Sequence, residues 1–280
     1  MIRLRKRALL KTAVVTGASA GIGREIVRQL VRDRGMTVLA TARRIDRLQK
    51  LAEELPAGQV LIESGDLADR DFRDRLWQRA TNSFPEGVDL LVNNAGMGHY
   101  AEFSEASQEY FSRIFEVNVL ALMDLTRKAV HHMRERRTGQ VMQISSVLGF
   151  VGLPYSAAYV ASKHAVNGLV KSLRYELRGT GVRVWAACPN RTESEFHSAA
   201  LGHNDLDHAR RSPHAAPTDR VVRSLLRGLD RRSTFVFPDL PARTIVRLSQ
   251  WLPTPYEWFM ERWSPGHFRK EMETGRMKTD

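Results

Sequence analysis

The sequence predicts an α/β protein built on a doubly wound parallel sheet of about seven strands with helices on both faces. Short runs of apolar and β-branched residues recur along the chain, and segments with helical spacing of apolar residues separate them. Strands that alternate with helices are typical of parallel sheets, because each parallel strand needs a crossover connection. A glycine-rich segment also joins the first run to the first helical segment, so a strand, a turn and a helix open the fold.

The predicted strands follow one another at intervals that leave room for a helix between most of them. In chain order they are residues 13–16, 37–41, 60–63, 90–92, 141–144 and 182–186, with residues 233–237 as the seventh. Residues 202–217 are rich in His, Asp, Arg and Pro, which predicts a polar loop near the site. The spacing of His203, His208 and His214 suits no compact ligand set, so no metal site is predicted.

The length of 280 residues suits one domain over residues 1–280, and a hydrophobic fraction of 42% supports a well-buried core. A single cysteine, Cys188, excludes an intramolecular disulfide and a cysteine-rich metal site, which fits the reducing cytoplasm. The sequence holds no apolar run long enough to cross a membrane, and the apolar stretch near its basic start is too short for a signal peptide. A cytoplasmic location is therefore expected.

The formal charge of +12 and the isoelectric point near 10.3 raise the question of a polyanionic partner. Arginine is spread from Arg3 to Arg276, without a basic and aromatic stripe or a nucleic-acid-binding motif. We interpret the excess as dispersed, solvated arginine and expect no nucleic-acid partner. The alternative is a positive surface that attracts a phosphorylated cofactor, an acyl-carrier substrate or anionic lipid.

The first predicted strand runs into a glycine loop with the spacing Gly-x-x-x-Gly-x-Gly, formed by Gly17, Gly21 and Gly23. Glycine permits a tight turn and close backbone approach, and the free N–H groups of the following helix attract phosphate. A strand, a glycine turn and a helix in this order favour a nucleotide-binding site. Ser19 and Ile22 lie in the same loop and are counted among the residues expected to bind the nucleotide.

Tyr159 and Lys163 are four residues apart in a segment predicted to be helical, so they share one helix face. An ammonium beside a phenol favours the phenolate, which lowers the pKa of tyrosine from about 10 toward the neutral range. Such a pair can give and take a proton during a reaction. A Tyr-x-x-x-Lys pair also occurs on ordinary helix surfaces, and the other motifs decide between the two interpretations.

Five motifs in order, over roughly residues 10 to 200, resemble those of the short-chain dehydrogenase/reductase family. The glycine loop matches the family pattern Thr-Gly-x-x-x-Gly-x-Gly, and the tyrosine pair matches Tyr-x-x-x-Lys. The other three motifs are Asn93-Asn94-Ala95-Gly96, Asn118 in Val-Asn-Val, and Ile144-Ser145-Ser146. The resemblance implies a Rossmann-fold oxidoreductase that transfers a hydride between a nicotinamide cofactor and a carbonyl or secondary alcohol.

The resemblance assigns catalytic roles to Asn118, Ser146, Tyr159 and Lys163. Ser146 is chosen over Ser145 because the active serine of the family lies thirteen positions before the tyrosine. By the same resemblance, Ser146 binds the substrate carbonyl and Tyr159 donates the proton to the developing alkoxide. Lys163 holds the nicotinamide ribose and lowers the pKa of Tyr159, while Asn118 holds a water that connects Lys163 to solvent.

The expected cofactor is NADP, with NAD as the less favoured alternative. Arg43 and Arg44 follow the second strand, where enzymes that prefer NAD present an acid, and arginine can bind the 2′-phosphate of NADP. Ala20 stands where the family often adds a second basic residue, and Arg24 just past the loop is the residue that could compensate.

The resemblance extends the cofactor site along the sheet edge. The remaining predicted cofactor residues are Asp66 and Leu67 at the adenine, Asn93, Ala95 and Gly96 at its ribose, Pro189 and Thr192 after the sixth strand, and Tyr159 and Lys163. Asn190 replaces the glycine that the family usually has after the proline, and asparagine tolerates positive φ better than most residues. The contact of Thr192 with the nicotinamide carboxamide depends on this altered turn.

Mostly apolar segments follow the fourth and fifth strands at the carboxyl edge of the sheet, where ligands bind. They include Met97, His99 and Tyr100 as well as residues 147–155. The expected substrate is an apolar ketone, aldehyde or lipid-like alcohol, handled by a homodimer or homotetramer. The alternatives are a 3-oxoacyl-carrier-protein reductase and, in a different class, a non-catalytic regulator that senses the dinucleotide. A sensor needs no proton-transfer groups, so the four catalytic residues argue against it.

Residues 240–280 lie beyond the family motifs and are expected to add a C-terminal amphipathic helical extension to the domain. Ile245, Leu248 and Leu252 repeat at helical spacing before Pro253, and aromatic residues repeat after it. The favoured interpretation is that these helices roof the substrate pocket or pack on a neighbouring subunit. The alternative is a peripheral contact with the inner face of an anionic membrane, which suits tryptophan with flanking basic residues.

Overall fold

The computed structural model describes residues 9–193, 195–196, 201–202 and 215–263. The strands are β1 Thr12–Thr16, β2 Thr37–Ala42, β3 Val60–Ser64, β4 Leu90–Asn93, β5 His99–Tyr100, β6 Gly139–Ile144, β7 Val182–Ala187, β8 Leu201–Gly202 and β9 Phe235–Val236. Seven of these strands form one parallel sheet in the spatial order β3-β2-β1-β4-β6-β7-β9. The predicted parallel sheet of about seven strands is confirmed.

Helices connect most of these strands. They are α1 Gly21–Arg34, α2 Ile45–Glu53, α3 Arg70–Ser83, α4 Gln108–Phe115, α5 Leu122–Arg136, α6 Ala157–Glu176, α7 Thr218–Leu226 and α8 Leu240–Trp251. Local signals set their ends: α1 stops at Gly35 in the left-handed conformation, and the carboxylate of Asp69 accepts a hydrogen bond at the start of α3.

The core lies in two layers, one on each face of the sheet. Neighbouring residues of β1 point to opposite layers, with Val15 in one and Val14 in the other. The first layer is covered by α1, α2 and α7, and the second by α3, α5 and α6. Helices therefore cover both faces, as predicted for a doubly wound sheet.

The strand order reverses direction between β1 and β4, which are hydrogen-bonded neighbours. From this point β2 and β3 extend the sheet to one side, and β6, β7 and β9 extend it to the other. The loops after β1 and β4 consequently diverge and leave a crevice at their carboxyl ends. Ligands of doubly wound sheets bind in such a crevice.

The structure differs from the sequence prediction in several details. The last strand, β9, contains two residues instead of the five predicted for 233–237, and the short parallel pair of β5 and β8 was not predicted. A π-helical segment, Glu116–Ala121, joins α4 to α5. The predicted polar loop lies mostly outside the described residues, and so do His203, His208 and His214. Within the described part of the chain, no helix has the length and apolarity needed to span a membrane.

The described part of the C-terminal segment contains two helices. Helix α8 begins where the carboxylate of Asp239 accepts a hydrogen bond from the backbone N–H of Ala242, and a second helical segment covers residues 253–263. The buried side chains of Ala242 and Val246 pack with residues of the loop after β6. This contact brings the extension to the carboxyl edge of the sheet.

Candidate active site

A cavity of about 560 Å³ opens at the carboxyl ends of the parallel strands. Its wall comes from the loops after β1, β2, β3, β4, β6 and β7, together with residues of α8 and of segment 253–263. This volume is typical of sites that enclose a small molecule or part of a cofactor. The motifs that the sequence places far apart therefore converge on one cavity.

The glycine loop forms one end of this cavity. Gly17 and Gly21 have φ values of 65° and 51°, a region that glycine adopts without strain. A Cβ atom on Gly23 would lie 2.3 Å from the backbone oxygen of Gly17, so only glycine lets α1 pack this closely on the loop. Gly17, Ser19, Gly21 and Ile22 line the cavity, whereas Gly23 supports the loop from behind. The N-terminus of α1 can thus receive a phosphate.

Basic side chains follow the glycine loop along the wall. Arg43 and Arg44 both line the cavity, and Nη2 of Arg44 donates a hydrogen bond of 3.2 Å to the hydroxyl of Ser19. Arg24, considered as a compensating cation, instead pairs with Glu54 and is not among the residues that line the cavity. The positive charge near the loop therefore comes from the residues after β2.

Asp66 lines the cavity beside Leu67 at the end of β3. Burial disfavours ionisation of its carboxyl, but a hydrogen bond from the backbone N–H of Ala68 and the nearby Arg113 and Arg43 lower its pKa overall. Arg113, on α4, forms an ion pair with Asp66 and also lines the cavity. This third arginine was not predicted, because it lies 47 residues from Asp66 along the chain.

Among the residues after β4, the structure brings Ala95 and Gly96 to the cavity but not Asn93. Asn93 is buried, and its amide nitrogen donates to the hydroxyl of Thr126 on α5, 3.0 Å away. The neighbouring Asn94 lines the cavity, and its amide donates to the backbone oxygens of the glycine loop. Asn94, rather than Asn93, is in a position to contact a ligand.

The predicted proton-transfer residues meet at the middle of the cavity. Ser146, at the end of β6, and Tyr159 and Lys163, on the first turns of α6, all line its wall. The Ser146 side chain is close enough to the phenol of Tyr159 to lower its pKa. Nζ of Lys163 lies 5.5 Å from the centroid of the Tyr159 ring and donates a hydrogen bond of 2.8 Å to the backbone oxygen of Ile144. Two hydroxyls and a buried ammonium can together deliver a proton to an oxygen that enters the cavity.

The protonation of Tyr159 differs from the expectation that Lys163 lowers its pKa. Burial raises the pKa of Tyr159 above its usual range, and the neighbouring Ser146 side chain opposes this rise only in part. Burial also lowers the pKa of Lys163 to about 8, although the nearby Cys188 acts in the opposite direction. The tyrosine therefore stays a neutral phenol at neutral pH, which is the form that can donate a proton.

Asn118 lies in the π-helical segment and is buried against the loop after β4. Its amide oxygen accepts a hydrogen bond of 2.7 Å from the backbone N–H of Met97, and its amide nitrogen donates to the backbone oxygen of Met97 and to the hydroxyl of Ser162. Ser162 in turn donates to the backbone oxygen of Tyr159. Asn118 thus connects the wall of the cavity to the helix that carries the tyrosine, and its side chain is outside the wall.

Pro189 and Thr192, in the segment after β7, also line the cavity. The hydroxyl of Thr192 donates a hydrogen bond of 3.1 Å to the backbone oxygen of Asn190, and Thr192 forms an isolated parallel bridge with Ala216. The turn that carries Asn190 in place of glycine therefore holds Thr192 at the cavity.

Comparison with known proteins agrees with this geometry. A family model described as short chain dehydrogenase matches residues 11–204, which is more than half of the chain. The chain belongs to the short-chain dehydrogenase/reductase family. Among curated proteins, the human protein named Dehydrogenase/reductase SDR family member 7 is 29% identical over 89% of this chain and 76% of its own length.

Solved structures of short-chain dehydrogenases also resemble this chain. An enzyme from Sphingobium yanoikuyae, solved in complex with NADPH, is 28% identical with a TM-score of 0.76, over 90% of this chain and 95% of its own. A protein from Burkholderia phymatum, solved with NAD, has a TM-score of 0.79 over 86% of this chain and 92% of its own. At 24% identity, the latter shows the shared fold alone.

Several residues of this short-chain dehydrogenase/reductase site escaped the sequence analysis. Ser145, set aside in favour of Ser146, donates a hydrogen bond of 2.7 Å to Asn167, whose amide nitrogen holds the backbone oxygen of Gly149. This pair fixes the loop that carries Ser146. Glu195 and Phe196 line the cavity from the segment after β7. A helical register could have suggested Asn167, but no local pattern identifies Glu195 or Phe196.

The wall beside the hydroxyls of Ser146 and Tyr159 is mostly apolar. It includes Met97 and Val147 from the loops, Tyr100 from β5, and Ile245 and Trp263 from the C-terminal helices. The described C-terminal residues therefore contribute to the roof of the pocket. Other apolar residues of these helices are exposed to solvent, which are Leu248, Trp251, Leu252, Trp258 and Phe259.

Proposed function

We propose that this chain is an NADP(H)-dependent carbonyl reductase or alcohol dehydrogenase that acts on an apolar ketone, aldehyde or lipid-like alcohol. The observation that carries the proposal is the convergence of Ser146 and Tyr159 in the cavity wall, with the Lys163 ammonium 5.5 Å from the centroid of the phenol ring. A dinucleotide-binding loop alone would not need these groups.

The residues present fit a dinucleotide. The glycine loop at the start of α1 suits the pyrophosphate, Asp66 and Leu67 suit the adenine, and Arg43 and Arg44 suit a 2′-phosphate. Asn94, Ala95 and Gly96, together with Pro189 and Thr192, line the rest of the path toward Tyr159. A bound nicotinamide would supply or accept the hydride.

The protein's own groups handle the proton. In the reductive direction, Ser146 donates a hydrogen bond to the substrate carbonyl, and the neutral phenol of Tyr159 gives its proton to the oxyanion that forms. The charged ammonium of Lys163 stabilises the resulting phenolate and reaches the ribose. Asn118 holds Met97 and the start of α6 in place through its hydrogen bonds, so we assign it a positioning role. The water site expected at Asn118 is compatible with this role. Alcohol oxidation uses the same groups in reverse.

The preference for NADP over NAD rests on charge. Arg43 and Arg44 line the cavity directly after β2, and Arg113 adds a third guanidinium nearby. A guanidinium forms charge-assisted hydrogen bonds with phosphate, which a ribose hydroxyl cannot match. The similar enzyme solved with NADPH supports the same assignment.

The apolar wall supports an apolar substrate over a charged sugar. The alternative within the same reaction class is a 3-oxoacyl-carrier-protein reductase. A positive surface that binds an acidic carrier protein would favour this alternative. A non-catalytic sensor would bind the dinucleotide without turning it over. The cytoplasmic location and the homodimeric or homotetrameric state remain predictions.

The cofactor assignment can be tested on the purified full chain without knowledge of the substrate. Dissociation constants for NADPH and NADH, measured by fluorescence of the reduced nicotinamide, should favour NADPH. Replacing Arg43 or Arg44 with alanine should weaken the binding of NADPH much more than that of NADH, because only NADPH carries the 2′-phosphate. Arg127→Ala is the control, since Arg127 is an exposed arginine of α5 that pairs with Asp124. Equal loss for both cofactors in the Arg43 and Arg44 variants would contradict the assignment.

A further inference from the structure

The segment after β7 crosses the cavity between its cofactor end and its catalytic centre. Beyond the bridge between Thr192 and Ala216, two adjacent residues, Glu195 and Phe196, face the cavity. The ring of Phe196 lies against that of Tyr159, with 5.5 Å between the ring centroids. The Glu195 side chain reaches in the other direction, to the arginines at the start of α2.

The carboxylate of Glu195 is held by two arginines. It accepts a hydrogen bond of 3.2 Å from Nη1 of Arg44 and hydrogen bonds of 2.7 and 2.8 Å from Nη1 of Arg47. The hydrogen bond with Arg47 lowers its pKa most, burial opposes this, and Arg44 lowers it further. Glu195 is therefore ionised at neutral pH and presents a negative charge to Arg44.

This contact has consequences for a phosphorylated ligand. Arg44 also donates to the hydroxyl of Ser19, so its guanidinium links the glycine loop to Glu195. A 2′-phosphate placed on Arg44 would meet the carboxylate at close range, and two anions at such a distance repel each other. A ribose hydroxyl carries no charge and meets no such repulsion.

We propose that Glu195 is a specificity-determining residue that occupies, on Arg44, the place that the 2′-phosphate of NADPH needs. This inference rests on the proposed function, because it requires that Arg44 receive the phosphate. Binding of NADPH exchanges the carboxylate for the phosphate on Arg44, and Arg47 retains the displaced carboxylate through its two shorter hydrogen bonds. Arg47 is suited to this because it does not line the cavity. Glu195 thereby weakens NADPH binding and leaves NADH binding unchanged.

The test is Glu195→Gln, which removes the charge and keeps the shape. Titration of the full chain with NADPH and with NADH, monitored by nicotinamide fluorescence, should show the dissociation constant for NADPH falling by about two- to fivefold, the range expected for an exposed ion pair. The constant for NADH should stay the same. The control is Glu193→Gln, an equal change of charge on an exposed residue two positions earlier.

The Arg44→Ala background separates this inference from the proposed function. If Arg44 is the site of competition, Glu195→Gln should have no NADPH-specific effect once Arg44 is replaced. If Arg44→Ala weakens NADPH binding but Glu195→Gln does not strengthen it, the role of Glu195 is overturned and the NADP assignment stands. Equal weakening of both cofactors in Arg44→Ala would overturn the NADP assignment itself. An equal gain for NADPH in Glu193→Gln would show a general field effect and would also overturn the role of Glu195.

Discussion

Replacement of Lys163 by methionine should stabilise the fold at neutral pH while it removes catalysis. Lys163 is 4% exposed, and burial lowers the pKa of its ammonium from the ordinary value of 10.5 to about 8. At about 1.4 kcal/mol for each pKa unit, keeping this buried group charged costs about 3 kcal/mol. Methionine has a similar length and no charge, so the cost disappears.

The substitution also removes a hydrogen bond. The backbone oxygen of Ile144 loses its ammonium donor, and a buried acceptor without a partner costs about 1–3 kcal/mol. The net gain at pH 7 is therefore small, up to about 2 kcal/mol. The difference in stability between variant and parent is more informative when it is compared at pH 7 and pH 10 than when it is measured at pH 7 alone. The lost hydrogen bond lowers the stability of the variant by the same amount at both pH values, so it does not affect the comparison.

The direction in which stability changes with pH follows from proton binding to Lys163. The folded pKa lies below the unfolded one, so between pH 8 and 10.5 the unfolded chain binds a proton at Lys163 that the folded chain does not. The stability of the parent protein rises by up to about 3 kcal/mol through this window from this group alone. The methionine variant lacks the rise. Its advantage at pH 7 should consequently decline by about 3 kcal/mol on going to pH 10 and become a disadvantage.

Urea unfolding at pH 7 and pH 10, followed by tryptophan fluorescence, measures this difference. Lys171→Met is the matched control, because Lys171 is exposed on the same helix, and its difference from the parent should stay near zero. Cys188 also affects stability at high pH. Burial raises its pKa so far that the folded thiol stays neutral at pH 10 in the parent, and loss of Lys163 removes a charge that lowers this pKa, so the thiol is neutral in the variant as well. Its contribution is therefore similar in both. A Lys163→Met difference that stays the same at both pH values would refute the reasoning.

The Lys163 ammonium is lost above about pH 8, so kcat/KM for NADPH in carbonyl reduction should be constant at lower pH and decline above that value. A profile that stays flat to pH 10 would contradict the role of this group. Gly23→Ala should lower Tm and weaken NADPH binding at least about tenfold, because the added Cβ would lie 2.3 Å from a backbone oxygen. Gly168→Ala in α6 is the control: the glycine has open space around it, so this change should be neutral or stabilising. If the exposed tryptophans Trp251 and Trp258 contact a membrane, the protein should pellet with anionic vesicles at low salt and less at high salt, and alanine at both positions should reduce pelleting; no pelleting at low salt would exclude the anchor.

Much of the fold could be predicted because its signals are local. The run before Gly17, the glycine spacing and the helical segment after it specify strand, turn and helix without reference to the rest of the chain. Tyr159 and Lys163 share a helix face for the same reason. Short strands such as β9 and the pair of β5 and β8 carry too few residues for a pattern to develop.

The properties that escaped prediction depend on contacts between distant segments. The direction of the Tyr159 pKa is set by burial, which only the folded chain defines. Arg113 and Glu195 reach the cavity from α4 and from the segment after β7, and neither lies in a recognisable motif. Asn93 was expected at the cavity, but the strand directs its side chain toward Thr126, and Asn94 takes the position at the wall.

The most direct test of the account is the rate of NADPH oxidation by the full chain with ketones and aldehydes of increasing chain length, measured for the parent and for Tyr159→Phe. The apolar wall predicts that kcat/KM rises with chain length. The loss of a general acid predicts that phenylalanine lowers kcat by at least about a hundredfold while the dissociation constant for NADPH stays close to that of the parent. A phenylalanine variant that reduces the best substrate at the parental rate would contradict the central claim that Tyr159 supplies the proton.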